Sequence, residues 1–169
     1  MTLRDQLLKE HTKANCDAIV KWIGNSQQRF DELFKLFLSD EYRIAQRAAW
    51  PLSYAAVANP KFIQKHFSKL LGNLQKTNLH TAVKRNTVRL LQDIPIPEKF
   101  HGQVMNLCFD YVISPGEAAA VKAFSLTILE NLSRQYPEIK SELKTVIEDR
   151  WHFESAAFHA RARKILEKF

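Results

Sequence analysis

Four segments of this 169-residue chain repeat at a spacing of 38. Ala45, Val83, Val121 and His159 fall in register, and so do Leu52, Leu90, Ile128 and Leu166. The aligned stretches AQRAAWPLS, VKRNTVRLL, VKAFSLTIL and HARARKILE are divergent copies of one helical pattern. A fixed period of this length marks a stacked-repeat architecture, in which each unit buries its apolar face against its neighbours.

Every segment has helical rather than strand periodicity. Thr2 and Asp5 stand at capping-box spacing, and the pattern predicts one helix from about residue 2 to 23, stopped by Gly24. Helix pairs follow over about 26–38 and 40–58, then 60–76 and 79–94. Pro97 and Pro137 open the first helices of the next two pairs, and Pro115 and Glu154 stand near the starts of their partners. In the second helices, a 100° step puts Val83, Thr87, Leu90 and Ile94 on one face, which reads as core. The counterparts are Ala45, Ala49, Leu52 and Ala56, then Val121, Ser125, Ile128 and Leu132. In the last copy they are His159, Arg163 and Leu166, a polar substitution that suits a terminal repeat. Among first helices, Leu33, Leu70 and Leu107 recur at 37.

The net charge of +7 is concentrated. Residues 42–92 hold no Asp or Glu but nine cations: Arg43, Arg47, Lys61, Lys65, Lys69, Lys76, Lys84, Arg85 and Arg89. The remainder carries 16 cations against 18 acids, so the central region supplies the whole excess and predicts a basic patch. Opposite the core face, the second helices present Arg43, Arg47, Trp50 and Tyr54, then Arg85, Val88, Arg89 and Gln92, the surface expected to line a concave side. Ala123, Leu126, Thr127 and Glu130 follow, then Arg161, Lys164 and Lys168. Guanidinium groups interleaved with aromatic rings suit an anionic partner. Lys61, Lys65, Lys69 and Lys76 fall in an arc of ~80° on a single helix and read as a solvated outer stripe.

The second-helix pattern resembles the HEAT repeat, through Val83-Lys84 closing on Leu90-Leu91 and Val121-Lys122 closing on Ile128-Leu129. The resemblance covers about residues 26–169. It implies an all-α, armadillo-like fold: a right-handed α-α superhelix of about four HEAT-like hairpins. The first 24 residues would be an N-terminal capping helix and residues 25–169 the repeat array, in a single domain overall. It also places Lys84 and Lys122 at a recurrent basic position that supports packing between repeats. One branch with similar repeats includes DNA alkylation-repair glycosylases, which grip DNA in a basic groove. Such chemistry requires an acid beside stacking aromatics, and here Asp40, Glu41 and Asp93 stand only at the borders of the basic region.

Other catalytic signals are sparse. His152 and His159 flank an aromatic turn with Glu148 one turn earlier, but three or four convergent ligands are needed to hold a metal. The carboxylates Glu148 and Asp149 sit in ordinary helical charge patterns. The sequence therefore favours a non-catalytic scaffold with no cofactor and no metal. Its binding residues are expected to be Arg43, Arg47, Trp50, Tyr54, Arg85 and Arg89. An acidic protein or peptide segment is the preferred partner and nucleic acid the alternative. No apolar run is long enough to cross a membrane, no leader is apparent, and Cys16 and Cys108 lack CxxC partners, so buried thiols and a cytoplasmic setting are expected.

Overall fold

The computed structural model describes all 169 residues, and its first helix starts with the expected capping box. The Thr2 hydroxyl accepts from the Asp5 amide while the Asp5 carboxylate accepts from the Thr2 amide, opening α1 (Leu3–Lys9). The backbone then turns extended at Glu10, and Thr12 caps a second helix, α2 (Lys13–Ile23), by accepting from the Asn15 amide. The single helix expected over 2–23 is therefore a helical hairpin. Buried Asn15 pins its turn, donating to the carbonyls of Gln6 and Glu10 at 2.9 Å each. Gly24 ends α2 at φ 48°, a conformation that strains any residue with a Cβ.

The chain forms two compact units, residues 1–95 and 96–169. The first holds α1, α2, α3 (Gln27–Phe37), α4 (Tyr42–Ala58), α5 (Lys61–Gln64), α6 (Phe67–Asn73) and α7 (Thr81–Leu91). Helix α4 is central, packed against α1, α2, α3 and α7. Its buried alanines, Ala45, Ala48, Ala49, Ala55 and Ala56, let the neighbouring helices approach closely, and Leu52 is fully enclosed. Pro51 is buried within it and offers no amide hydrogen to the carbonyl one turn back, yet α4 continues for 17 residues.

The expected helix over 60–76 is interrupted at Lys65–His66, which splits it into α5 and α6; the lysine stripe is broken up, with Lys61 in α5, Lys65 at the break, Lys69 in α6 and Lys76 beyond its end. Both residues turn to α3. Lys65 Nζ lies 2.5 Å from one oxygen of Asp31 and His66 Nε2 2.6 Å from the other. Gln27 also donates to Asp31, and the His66 ring stacks on Phe34 at 4.2 Å. Burial opposes ionisation of Asp31, but these three hydrogen bonds outweigh it and hold the carboxyl down at about 2.

The second unit contains α8 (His101–Ile113), α9 (Ala119–Ser133), α10 (Ile139–Arg150) and α11 (Ala156–Leu166), with 3-10 turns at Glu98–Phe100 and Trp151–Phe153. Within it α9 packs on both α8 and α11. Lys122 is 2% exposed, and its Nζ meets Glu154 Oε1 at 2.5 Å. Arg150 closes on the same oxygen at 2.8 Å.

The expected core positions of α4, α7 and α9 are all buried. Two registers differ. In α8 the core is Val104, Cys108 and Val112, with Leu107 half-buried. In α11 it is Phe158, Ala162 and Ile165, one residue ahead of His159, Arg163 and Leu166. The last two copies are therefore one residue closer than the period of 38. Cys16 and Cys108 are buried free thiols, pushed up by burial to about 11 and about 12. The fold is wholly helical, and no helix is long and apolar enough to cross a membrane.

Candidate binding surface

Helices α4 and α7 carry all six residues expected to bind. Those residues divide into two held arginines, two exposed arginines and two partly covered aromatics. Arg47 reaches across to the C-terminal end of α1, where its Nη1 donates to the carbonyls of Leu7 at 3.2 Å and Leu8 at 2.7 Å. A helix leaves its last four carbonyls without intrahelical partners, so Arg47 completes α1 from another helix. Arg89 donates from Nη2 to the Tyr54 hydroxyl at 3.0 Å, and its guanidinium lies 4.7 Å from the centre of that ring.

Tyr54 has a second cation, Lys13 of α2, also 4.7 Å from the ring centre. The hydrogen bond from Arg89 lowers the phenol below its ordinary range. Lys13 forms an ion pair with Asp17, which raises the amine. Trp50 is half-buried, with His11 edge-on to it at 5.5 Å. The hairpin of α1 and α2 thus covers the part of α4 expected to be open. Beneath Arg47 and Trp50 there is a gap of 10 Å³, too small for a partner's side chain. Larger hollows lie elsewhere, including 620 Å³ beside Trp22 and Arg29 at the turn from α2 to α3.

Arg43 and Arg85 are exposed and have no carboxylate partner. Val88, expected on the same open face, is buried, as are Ala123, Leu126 and Glu130 of α9. The second helices therefore bury two faces and expose only a strip. No sequence rule for the concave side separates these, because Val88 and Leu126 are apolar residues on a face assigned by angle alone.

The sequence reading missed Tyr42 and His80. They occupy equivalent positions 38 apart, and their rings meet at 4.2 Å. His80 also caps α7, its Nδ1 accepting from the Ala82 amide at 2.8 Å. Burial, then nearby Arg85, lowers its pKa. Their shared register was legible, but Tyr42 precedes the aligned block and His80 was read as part of a helix rather than its cap.

None of the acids considered for glycosylase chemistry is bonded to an arginine of α4 or α7. Glu41 pairs with Arg4 at 2.6 Å, Asp40 is fully exposed with Lys76 4.0 Å away, and Asp93 is exposed. His159 of the second unit stacks on Trp151 at 4.4 Å and meets the Trp151 carbonyl at 2.6 Å.

A family model described as HEAT repeat domain matches residues 3–169, taking in α1 and α2 as well as the later pairs. No curated protein and no solved structure matches the chain. HEAT repeats commonly mediate protein interactions. With paired helices in each unit, buried second-helix cores and a match over nearly its whole length, this chain belongs to the HEAT repeat family.

Proposed function

We propose that this protein is a non-catalytic binding scaffold that takes an acidic protein segment on the strip formed by Arg43, Arg47, Arg85 and Arg89. One observation carries the reading. The two arginines that are held are held by neutral acceptors, carbonyl oxygens for Arg47 and a phenolic hydroxyl for Arg89. Such bonds fix a guanidinium in place while leaving its positive charge uncancelled. Arg43 and Arg85 add two exposed charges from the same pair of helices. Pre-positioned cations that lose little side-chain freedom on binding favour a carboxylate-rich partner. Trp50 and Tyr54 act here from beneath, Tyr54 by aligning Arg89 and Trp50 by packing the hairpin turn.

The test is fluorescence anisotropy with a labelled glutamate-rich peptide, a neutral peptide of equal length and a short duplex DNA, each at two salt concentrations. The reading expects micromolar binding of the acidic peptide, at least about tenfold tighter than the neutral one. It also expects loss of that binding in Arg43→Glu/Arg85→Glu, whose positions are exposed and leave the fold intact. Preference for DNA, with the steep salt dependence of phosphate neutralisation, would replace the peptide with nucleic acid as the partner. Equal binding of neutral and acidic peptides would overturn the electrostatic reading.

A further inference from the structure

Tyr42 is the aromatic residue of the strip whose ring remains available. It is 63% exposed, whereas Tyr54 lies between two cations and Trp50 is half-buried beside His11. His80 supports Tyr42 from one side at 4.2 Å. The cap bond fixes the His80 tautomer: a Nδ1 that accepts from the Ala82 amide carries no hydrogen, so the hydrogen is on Nε2. Protonating Nδ1 would cost that cap and would add a charge near Arg85. The pair is therefore a neutral aromatic platform beside the exposed guanidinium groups of Arg43 and Arg85.

Arg43 follows Tyr42 on α4 and Arg85 lies near His80, so a segment seated on the Tyr42 ring brings its carboxylates to the two exposed guanidinium groups. We infer that Tyr42, backed by His80, anchors one end of an extended acidic peptide through an apolar or aromatic residue that flanks the peptide's carboxylates. This inference rests on the acidic-segment reading above and adds the partner's asymmetry and its anchor residue.

Two labelled peptides separate the possibilities. One is a run of six glutamates, and the other is the same run with a phenylalanine at one end and a serine at the other. Both are titrated by anisotropy against the native protein, Tyr42→Ala, Tyr42→Phe and Arg43→Glu/Arg85→Glu, with thermal melts confirming that each variant folds. The native protein should bind the phenylalanine-bearing peptide about tenfold more tightly than the plain run. Tyr42→Ala should erase that advantage while leaving the plain run within about twofold, and Tyr42→Phe should keep it. Equal loss for both peptides, or an unchanged advantage in Tyr42→Ala, would overturn the anchor and leave the acidic-segment reading intact. If the native protein binds neither peptide, both readings fall. Binding of single-stranded DNA that depends on Tyr42 and exceeds that of either peptide would replace the peptide with stacked bases.

Discussion

Lys122 Nζ and Glu154 Oε1 are 2.5 Å apart, and both side chains are almost wholly withdrawn from water, at 2% and 7% exposure. The contact joins the first turn of α9 to the residue just before Ser155, which caps α11. Arg150 makes the arrangement unequal, because it is bonded to Glu154 and not to Lys122. Removing Glu154 strands a buried ammonium. Removing Lys122 leaves the carboxylate with a partner.

Glu154→Ala is therefore expected to destabilise the fold by about 3–5 kcal/mol, the usual cost of breaking a buried pair from one side. Lys122→Met, which keeps the side-chain volume and leaves Arg150 on Glu154, should cost clearly less. Urea midpoints with unchanged slopes would measure both. Equal losses would mean that Arg150 does not compensate.

The register of the last repeat is open to direct test. Ile165→Ala should cost about 2–5 kcal/mol, since Ile165 is fully buried. Leu166→Ala, one position later and half-buried, should cost less than about 1 kcal/mol. Leu90→Ala, a buried position in both the sequence reading and the structure, belongs with Ile165. The reverse order for Ile165 and Leu166 would restore the uniform 38-residue spacing.

Asp31 supplies a pH dependence. Its carboxyl is held at about 2 in the folded protein against 3.8 ordinarily. Between those values the unfolded chain binds the proton and the folded chain does not. The contribution is therefore complete above about pH 4 and is lost as the pH falls towards 2. With the side chain 31% exposed, solvent screening limits it to about 1–2 kcal/mol. Asp31→Asn should flatten this part of the acid limb in chemical denaturation measured from pH 5 to pH 2. An unchanged limb would show that Lys65, His66 and Gln27 do not select the ionised form.

Arg47 makes a structural prediction as well as a functional one. Arg47→Met retains much of the side chain's packing but deprives the Leu7 and Leu8 carbonyls of their donor. The loss should be about 1–2 kcal/mol, with faster amide exchange in α1 than in α7. Uniform exchange across the first unit would argue against a local capping role.

The sequence was most informative where a residue's own chemistry decides its neighbours. Thr2 and Asp5 were readable as a capping box, Gly24 as a stop, and Val83, Thr87, Leu90 and Ile94 as one buried face. Thr12 could have revealed the break between α1 and α2, but the surrounding helical periodicity concealed it. The break at Lys65–His66 had no such local signal, because it depends on Asp31 in another helix. The binding strip was only half legible. Charge counting found the arginines, while the acceptors of Arg47 depend on where α1 ends in space and that of Arg89 on how α7 packs against α4. Aromatic content pointed to Trp50 and Tyr54, but exposure distinguishes Tyr42 from both.

The placement of α1 and α2 against α4 has a practical result for shortening this protein. Leu3, Leu7, Cys16, Ile19 and Ile23 are all buried, and the hairpin contributes Lys13 to the ring of Tyr54. A fragment starting at Gln27 would still contain every arginine of the strip, yet it would bare an apolar flank of α4 and release the guanidinium of Arg47. Such a truncation would turn a selective surface into a sticky one, and any binding it displayed would say little about the intact chain.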